Sequence, residues 1–212
     1  MSTNYHYICG KILILMYDSL FTYIKDRSKT PLSEKEVELI KSVFIPKKIR
    51  KKQYLLQAGE VCKYSAFIIK GAMRQYRVDE KGLEHIIRLN LETWWAGDRE
   101  SFTMQVPSAY NIDAWEDTDV LTLTKTDSET LNSIPAWVET RIRMDENYSF
   151  ASQKRMNASI SLTAEQRYAE LQQQYPEFLL RFPQHLIASY LGMTKETLSR
   201  IRKQIVKKQM VS

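Results

Sequence analysis

Cysteine and histidine are nearly missing from this sequence, and so is any long apolar run. There are 2 cysteines and 3 histidines in 212 residues. Cys9 and Cys62 lie far apart, neither belongs to a Cys-x-x-Cys pair, and no histidine pair accompanies them. Neither a zinc site nor a four-thiolate iron–sulfur cluster can be assembled from such a set, so a reduced, structural role is expected for both thiols. Of the histidines, only His85 falls in the segment that reads as a barrel, with His6 and His185 outside it. A cupin-like metal enzyme needs two or three histidines and a carboxylate converging inside the barrel, so it stands only as an alternative reading. No catalytic residue, metal or cofactor is assigned, and the chain is read as a non-enzyme. The longest apolar stretch, Ile12 to Tyr17, is far short of the ~20 residues of a membrane span and precedes no small-residue cleavage site. A cytoplasmic protein with no membrane partner is expected.

Positive charge, by contrast, is present and unevenly placed. From Arg181 onward the basic residues are Arg181, Lys195, Arg200, Arg202, Lys203, Lys207 and Lys208, against the single acid Glu196. The whole formal charge of +6 therefore sits at that end, and the preceding residues sum to neutral. Such an excess confined to one segment is the footprint of a surface that meets a polyanion, most commonly nucleic acid. With 43% hydrophobic residues the chain can bury a core, as one large or two modest domains.

Leu13, Met16, Tyr17, Leu20, Phe21 and Ile24 recur at helical spacing and make one apolar face for a core. Pro31 to Glu36 reads as a turn into a short helix, with Ser33 as N-cap and Glu36 as its capping-box partner, ending near Ile45-Pro46. The run Lys47-Lys48-Ile49-Arg50-Lys51-Lys52 reads as a solvated lead-in to a strand. From Tyr54 to Leu123 the segments "YLLQAG", "SAFIIKG", "AMRQYRV", "EHIIRLNL" and "DVLTLT" are bounded by Gly59, Gly71, the "DEKG" turn at Asp79 to Gly82, and Gly97. That spacing predicts a small antiparallel roll, with "EDTD" at 116–119 as the turn between its last two strands.

After Thr126 the texture changes. Glycine is absent from Ile134 to about Ser159, while Trp137, Met144, Ala151 and Ala158 recur every seven residues, with Tyr148 and Arg155 four after Met144 and Ala151. A long helix with a seam is predicted, and its partner is either the barrel or a second copy of the helix; the narrow apolar stripe favours the second copy. A break is expected at Ser159-Ile160-Ser161, with a domain boundary near residue 160. Thr163 and Gln166 then form a capping box for a helix whose face is Tyr168, Leu171 and Tyr175.

From Gln184 the order Ile187, Ala188, Leu191, Gly192, Met193, Leu198, Ile201 is that of a helix-turn-helix. Ala188 is small where the helices cross, Gly192 supplies the left-handed conformation of the turn, and Ile187, Leu191, Leu198 and Ile201 are the buried contacts. Thr194 caps the second helix and Glu196 suits its positive end. With Leu198, Ile201 and Ile205 inward, Lys195, Glu196, Ser199, Arg200 and Lys203 project outward, as side chains of a recognition helix over 194–205 do toward a major groove. Arg200 carries the fork for a guanine edge, Glu196 accepts from a cytosine amino group, and Lys195 reaches a guanine or a phosphate. Gln184, His185 and Thr194 begin the two helices and are placed to hold phosphates.

"LGMTKETLSRIRK" resembles the DNA-reading segment of the Crp/Fnr family of bacterial transcription regulators, where a Ser/Thr-Arg/Lys-Glu-Thr-x-Ser/Gly-Arg run opens the recognition helix. The resemblance extends from about Met16 and implies a roll of the cyclic-nucleotide-binding type, a long dimerising helix and a C-terminal helix-turn-helix. It implies base-reading roles for Lys195, Glu196, Ser199 and Arg200, and a phosphate contact for Thr194. Cyclic-nucleotide binders of this type use Gly-Glu-Leu followed by Arg-Ser/Thr-Ala. Here Gly97-Asp98-Arg99 and Pro107-Ser108-Ala109-Tyr110 stand in those places, so Asp98 replaces the glutamate and Pro107 the phosphate-neutralising arginine. A buried phosphate would lack its counter-charge, which argues for an effector other than a cyclic nucleotide. Family members often carry a β-hairpin wing after the recognition helix, whereas "IVKKQMVS" follows it here, with Lys207 and Lys208 as substitute phosphate contacts; residues 1–15 precede the resemblance.

The expected class is thus α+β. A helical extension (1–30) leads to an antiparallel, jelly-roll-like sensor roll (31–133), a long dimerisation helix (134–160) and a helix-turn-helix domain (161–212). The expected effector pocket is Trp95, Gly97, Asp98, Arg99, Ser108, Ala109 and Tyr110, and it takes an unidentified small molecule or none. The expected dimer interface is Trp137, Met144, Tyr148, Ala151 and Arg155. The expected partners are double-stranded DNA, a second copy, and RNA polymerase if the effect is activation.

Overall fold

The computed structural model describes residues 15–211, so that His6, Cys9 and Leu13 lie outside the described residues. The chain divides into two compact units, one made of the residues up to 75 with 90–146, the other of 76–89 with 147 onward.

The first unit opens with a helix over 15–25 (α1) and with α2, Glu34–Val43. Strands β1 (Ile45–Ile49), β2 (Tyr54–Leu56), β3 (Tyr64–Lys70), β4 (Met73–Val78), β5 (Glu84–Asn90), β6 (Trp95–Ala96), β7 (Asn111–Ala114) and β8 (Thr118–Thr124) follow along the chain, with α3 (Arg99–Met104) between β6 and β7; the end of β4 and nearly all of β5 belong to the second unit. They form two four-stranded sheets, in the orders β1-β8-β3-β6 and β2-β7-β4-β5. Helix α4 (Lys125–Thr130) and a 3-10 turn (Leu131–Ser133) lead into α5, Pro135–Ser161.

The unbroken apolar run Ala66-Phe67-Ile68-Ile69 of β3 has a simple cause: both faces of the strand are covered, and its neighbour β8 likewise buries residues on both faces. Ala66, Ile68 and Val120 pack into the roll interior with Ile49, Leu56, Met73 and Ile112. Their neighbours Phe67, Leu121 and Leu123 point the other way, into a second cluster with Leu20 and Ile24 of α1, Ile40 of α2, and Ile134 and Trp137 at the start of α5. The faces expected of α1 and the Ser33–Glu36 capping box are both present. Gly71 closes the β3–β4 turn at φ +104, where a Cβ would stand 2.5 Å from Thr118 Oγ1 and 2.7 Å from the Asp117 carbonyl, leaving room for glycine alone.

Several local expectations need correction. Helix α2 ends at Val43, and the basic run is not only a lead-in: Lys47 and Lys48 lie in β1 itself, paired with Val120 and Asp119 of β8. Pro46 is tolerated there because β1 is an edge strand. Strands β6 and β7 and helices α3 and α4 are too short to leave a periodic signal. No break occurs at Ser159-Ile160-Ser161, because α5 runs through Ser161. The Ser159 and Ser161 hydroxyls donate back to the carbonyls of Met156 (2.7 Å) and Asn157 (2.7 Å), so these residues stay helical instead of capping.

Helix α5 is tied to the turn after α1 by Glu139. Its carboxylate accepts from the Lys29 backbone N–H (2.7 Å), the Thr30 hydroxyl (2.6 Å) and the Ser28 hydroxyl (3.0 Å). These donors, the Thr30 hydroxyl foremost, hold its pKa at about 2, below the usual 4.5. A carboxylate with a lowered folded-state pKa contributes its stability in full above the ordinary range and loses it as pH falls toward the lowered value. The stability difference between wild type and Glu139→Gln, followed by thermal melting, is therefore expected to be largest above pH 5 and to shrink steadily between pH 4.5 and 2.

Candidate nucleic-acid interface

The second unit contains α6 (Ala164–Gln174), α7 (Pro176–Arg181), α8 (Gln184–Tyr190) and α9 (Lys195–Val211). Thr163 and Gln166 cap α6 reciprocally, and Tyr168 and Leu171 bury its inner face. Phe178 of α7 is enclosed by rings, edge-on to Phe182 and Tyr190 at 5.7 Å each. Leu186, Ile187 and Ala188 of α8 and Leu198 and Ile201 of α9 are all buried.

The connection between α8 and α9 is a Schellman turn. The Met193 N–H donates to the Ala188 carbonyl and the Gly192 N–H to the Ser189 carbonyl, both at 3.0 Å, with Gly192 at φ +66. Thr194 then caps α9, its hydroxyl accepting from the Thr197 N–H at 3.2 Å. Arg167 of α6 braces the same turn, donating to the Leu191 carbonyl (3.0 Å) and the Leu162 carbonyl (2.8 Å). Because Leu198 and Ile201 must face inward, Lys195, Glu196, Arg200 and Lys203 are exposed and Ser199 is half-buried. Gln184 and His185 are exposed at the start of α8. All the residues expected at a reading surface are therefore on the solvent side.

An open concavity of about 560 Å³ runs along this face, lined by Lys195, Glu196, Ser199, Arg200 and Lys203 with Gln204 and Lys207. A second, of about 420 Å³, lies between Thr163, Ala164 and Glu165 at the start of α6 and Thr197, Arg200, Ile201 and Gln204. Sequence reasoning missed Gln204 and the start of α6, since no motif position marks them. The side chain of Lys208 lies outside the described residues.

The residues expected to form an effector pocket are brought together only in part. Asp98 is 8% exposed and already engaged: it caps α3 through the Glu100 N–H (3.2 Å) and accepts from the Ser108 hydroxyl at 2.7 Å. That hydroxyl in turn accepts from the Tyr110 N–H at 3.0 Å. Gly97 packs close to the Tyr64 carbonyl, where an added Cβ would stand at 3.3 Å. Arg99 pairs with Asp145 on the surface, and Ala109 and Pro107 are exposed. Trp95 points away from this group, into the aromatic cluster with Tyr23, Phe44, Phe67 and Trp137. Trp95 is thus a core residue, a correction that follows from the burial of both faces of its sheet.

The expected seam on α5 also needs correction. Trp137 is 2% exposed and packs edge-on against Phe44 at 5.5 Å, and Met144 packs on the same cluster. Tyr148 lies under the guanidinium of Arg88, 3.9 Å from its ring centroid. Arg155 donates to the Ile86, Ile87 and Tyr190 carbonyls. Ala151 is exposed. Of the seven-residue repeat, Trp137 and Met144 pack on their own chain and Ala151 faces solvent. The most exposed apolar side chains of the opposite side are Ile142 (51% exposed), Met156 (58%) and Ile160 (79%), flanked by Phe150.

This geometry defines a class: an antiparallel roll of the cyclic-nucleotide-binding type, a long helix and a helix-turn-helix. Residues 46–132 match the family model for the cyclic nucleotide-binding domain. Among solved structures the chain is similar to FixK2 of Bradyrhizobium japonicum, at TM-score 0.68 and 21% identity over 79% of this chain and 86% of that one. It is similar to the c-di-GMP responsive global regulator CLP of Xanthomonas campestris, at TM-score 0.65 and 10% identity over 84% and 93%. It is also similar to a transcriptional regulator of the Crp/Fnr family from Eubacterium rectale, at TM-score 0.59 and 15% identity over 84% and 85%. No curated protein matches the sequence. The chain has the Crp/Fnr regulator fold, and identities this low establish the fold alone. Among the described residues no helix is long and apolar enough to cross a membrane.

The left-handed turn gives a direct check on this construction. Gly192→Ala places a Cβ in a conformation that disfavours it by ~1–2 kcal/mol, and urea unfolding of the variant is expected to report a loss of that size.

Proposed function

We propose that this chain is a DNA-binding transcription regulator of the Crp/Fnr type, acting as a homodimer on a pseudo-palindromic operator. The observation that carries the proposal is the outward set on α9. Lys195, Glu196, Ser199, Arg200 and Lys203 lie along one open face, on a segment that holds the formal +6 charge. In this reading Arg200, Glu196, Lys195 and Ser199 contact base edges, while Thr194, Gln184 and His185 contact phosphates. Residues 31–133 form the sensor roll, 134–160 the dimerisation helix and 161–212 the reading domain.

The effector, if one is used, is a small molecule other than a cyclic nucleotide. Asp98 and Ser108 are bonded to each other, Arg99 to Asp145, and Pro107 offers no charge to a phosphate. RNA polymerase is the further partner if the effect is activation.

Titration of labelled duplex, selected from a randomised pool, is expected to show binding that weakens steeply with salt as counterions leave the phosphates. Arg200→Ala is expected to cost ~1–3 kcal/mol and to relax preference at one base position with folding intact. Salt-insensitive binding, or no duplex recovered from the pool, would remove the reading.

For the dimer, the apolar residues exposed on α5 are better candidates than the Trp137–Arg155 side, which is engaged by its own chain. Ile142 and Met156 lie two heptads apart on one side of α5, with Ile160 a turn further on. Met156→Glu is expected to convert the dimer to monomer in sedimentation velocity, with the helix-turn-helix still folded; a variant as dimeric as wild type would exclude this face.

A further inference from the structure

Strand β5 is the last strand of its sheet, and an edge strand leaves its outer N–H and C=O groups without a ladder partner. In the second unit, side chains of the helical segment take that place. The Ser189 hydroxyl, in the last turn of α8, accepts from the Ile86 N–H at 2.9 Å and donates to the Glu84 carbonyl at 3.2 Å. It bonds the strand as a neighbouring backbone would. Arg155 of α5 adds a fork: its guanidinium donates to the Ile86 carbonyl (3.2 Å), the Tyr190 carbonyl (3.1 Å) and the Ile87 carbonyl, and lies 4.3 Å from the centroid of the Tyr190 ring. One cation therefore joins β5, the end of α8 and α5, and Arg88 of β5 adds a second contact to α5, over the ring of Tyr148.

We infer that the Ser189–Arg155 clamp makes the 76–89 hairpin a working part of the DNA reader, with both residues positioning the recognition helix rather than touching DNA. The inference rests on the DNA-binding reading above and adds a control point to it. Three observations support it. The hairpin lies within the residues that match the cyclic nucleotide-binding domain, yet it belongs to the same compact unit as the helix-turn-helix. The clamp bonds are polar and directional, so they specify one orientation, where apolar packing tolerates slippage. In the clamped arrangement Lys195, Glu196, Arg200 and Lys203 remain in solvent, so the clamp holds the reading face open and does not mask it. A dimer must present two recognition helices one DNA turn apart, and wobble of either is a loss of preorganisation. Whatever shifts the hairpin therefore shifts the affinity for DNA.

The test uses the full chain and a duplex recovered by the wild type from a randomised double-stranded pool. Ser189→Ala is expected to weaken binding about five- to tenfold, and Ser189→Thr, which keeps the hydroxyl, to restore it. Arg155→Lys keeps the charge but cannot span three carbonyls, and is expected to lose at least as much. Hydrogen exchange on the wild type needs no variant to fold. Because coupling is reciprocal, adding duplex is expected to slow exchange of the Ile86 amide severalfold, although that amide lies in the hairpin and not on α9. Ser189→Ala binding within twofold of wild type, or Ile86 exchange unchanged by bound duplex, overturns the clamp while leaving DNA binding in place. A wild type that recovers no duplex overturns the DNA reading, and the clamp with it.

Discussion

The burial of Leu198 and Ile201 is the constraint on which the C-terminal helical segment depends. Both are nearly inaccessible, and on a helix whose residues advance by 100° their burial fixes the direction of every other side chain on α9. Lys195, Glu196, Arg200 and Lys203 are exposed as a consequence of that packing, not from any preference of their own. The Schellman turn at Gly192 supports the same outcome from the other side, because it sets the angle at which α9 leaves α8 and satisfies carbonyls that burial would otherwise orphan.

Arginine does much of the remaining work by answering carbonyls. Arg167 bonds the ends of two helical segments, and Arg155 bonds β5 and α8 together. In both cases the fork of donors matches backbone oxygens left open by the end of a helix or the edge of a sheet, which lysine cannot do with a single point charge. Lys195, Arg200 and Lys203 on α9 thus stay in solvent, whereas Arg155 and Arg167 are engaged in holding the unit together.

In the roll, the polar side chains of the Gly97–Arg99 and Pro107–Tyr110 segments are engaged by their own chain. Asp98 and Ser108 bond one another, so each satisfies the group that a ligand hydroxyl would otherwise engage. The neighbouring indole of Trp95 belongs to an aromatic cluster that joins α1, α2 and α5 to the outer face of a sheet. That cluster, with Glu139 fastening α5 to the turn after α1, makes the start of the long helix a rigid part of the first unit.

How far the sequence reached depended on how local each signal was. The capping boxes at Ser33 and Thr163, the left-handed Gly192, the cap at Thr194 and the outward face of α9 all depend on residues within one or two turns of each other, and all were legible. The order of the main strands was legible too, because turns and glycines punctuate it. The heptad-like repeat on α5 marks residues that share one side of the helix, and of these Trp137 and Met144 pack on the core of the first unit. Spacing says which residues share a face and is silent on what covers it; Phe44 and Trp95 cover Trp137, and β5 and α8 answer Arg155. The sequence by itself determined the local elements and the charge of the C-terminal segment, since both are set by near neighbours in the chain. Only the tertiary structure decided that Ser189 would meet Ile86 and Asp98 would meet Ser108, because those partners are joined by long-range folding that no local pattern records.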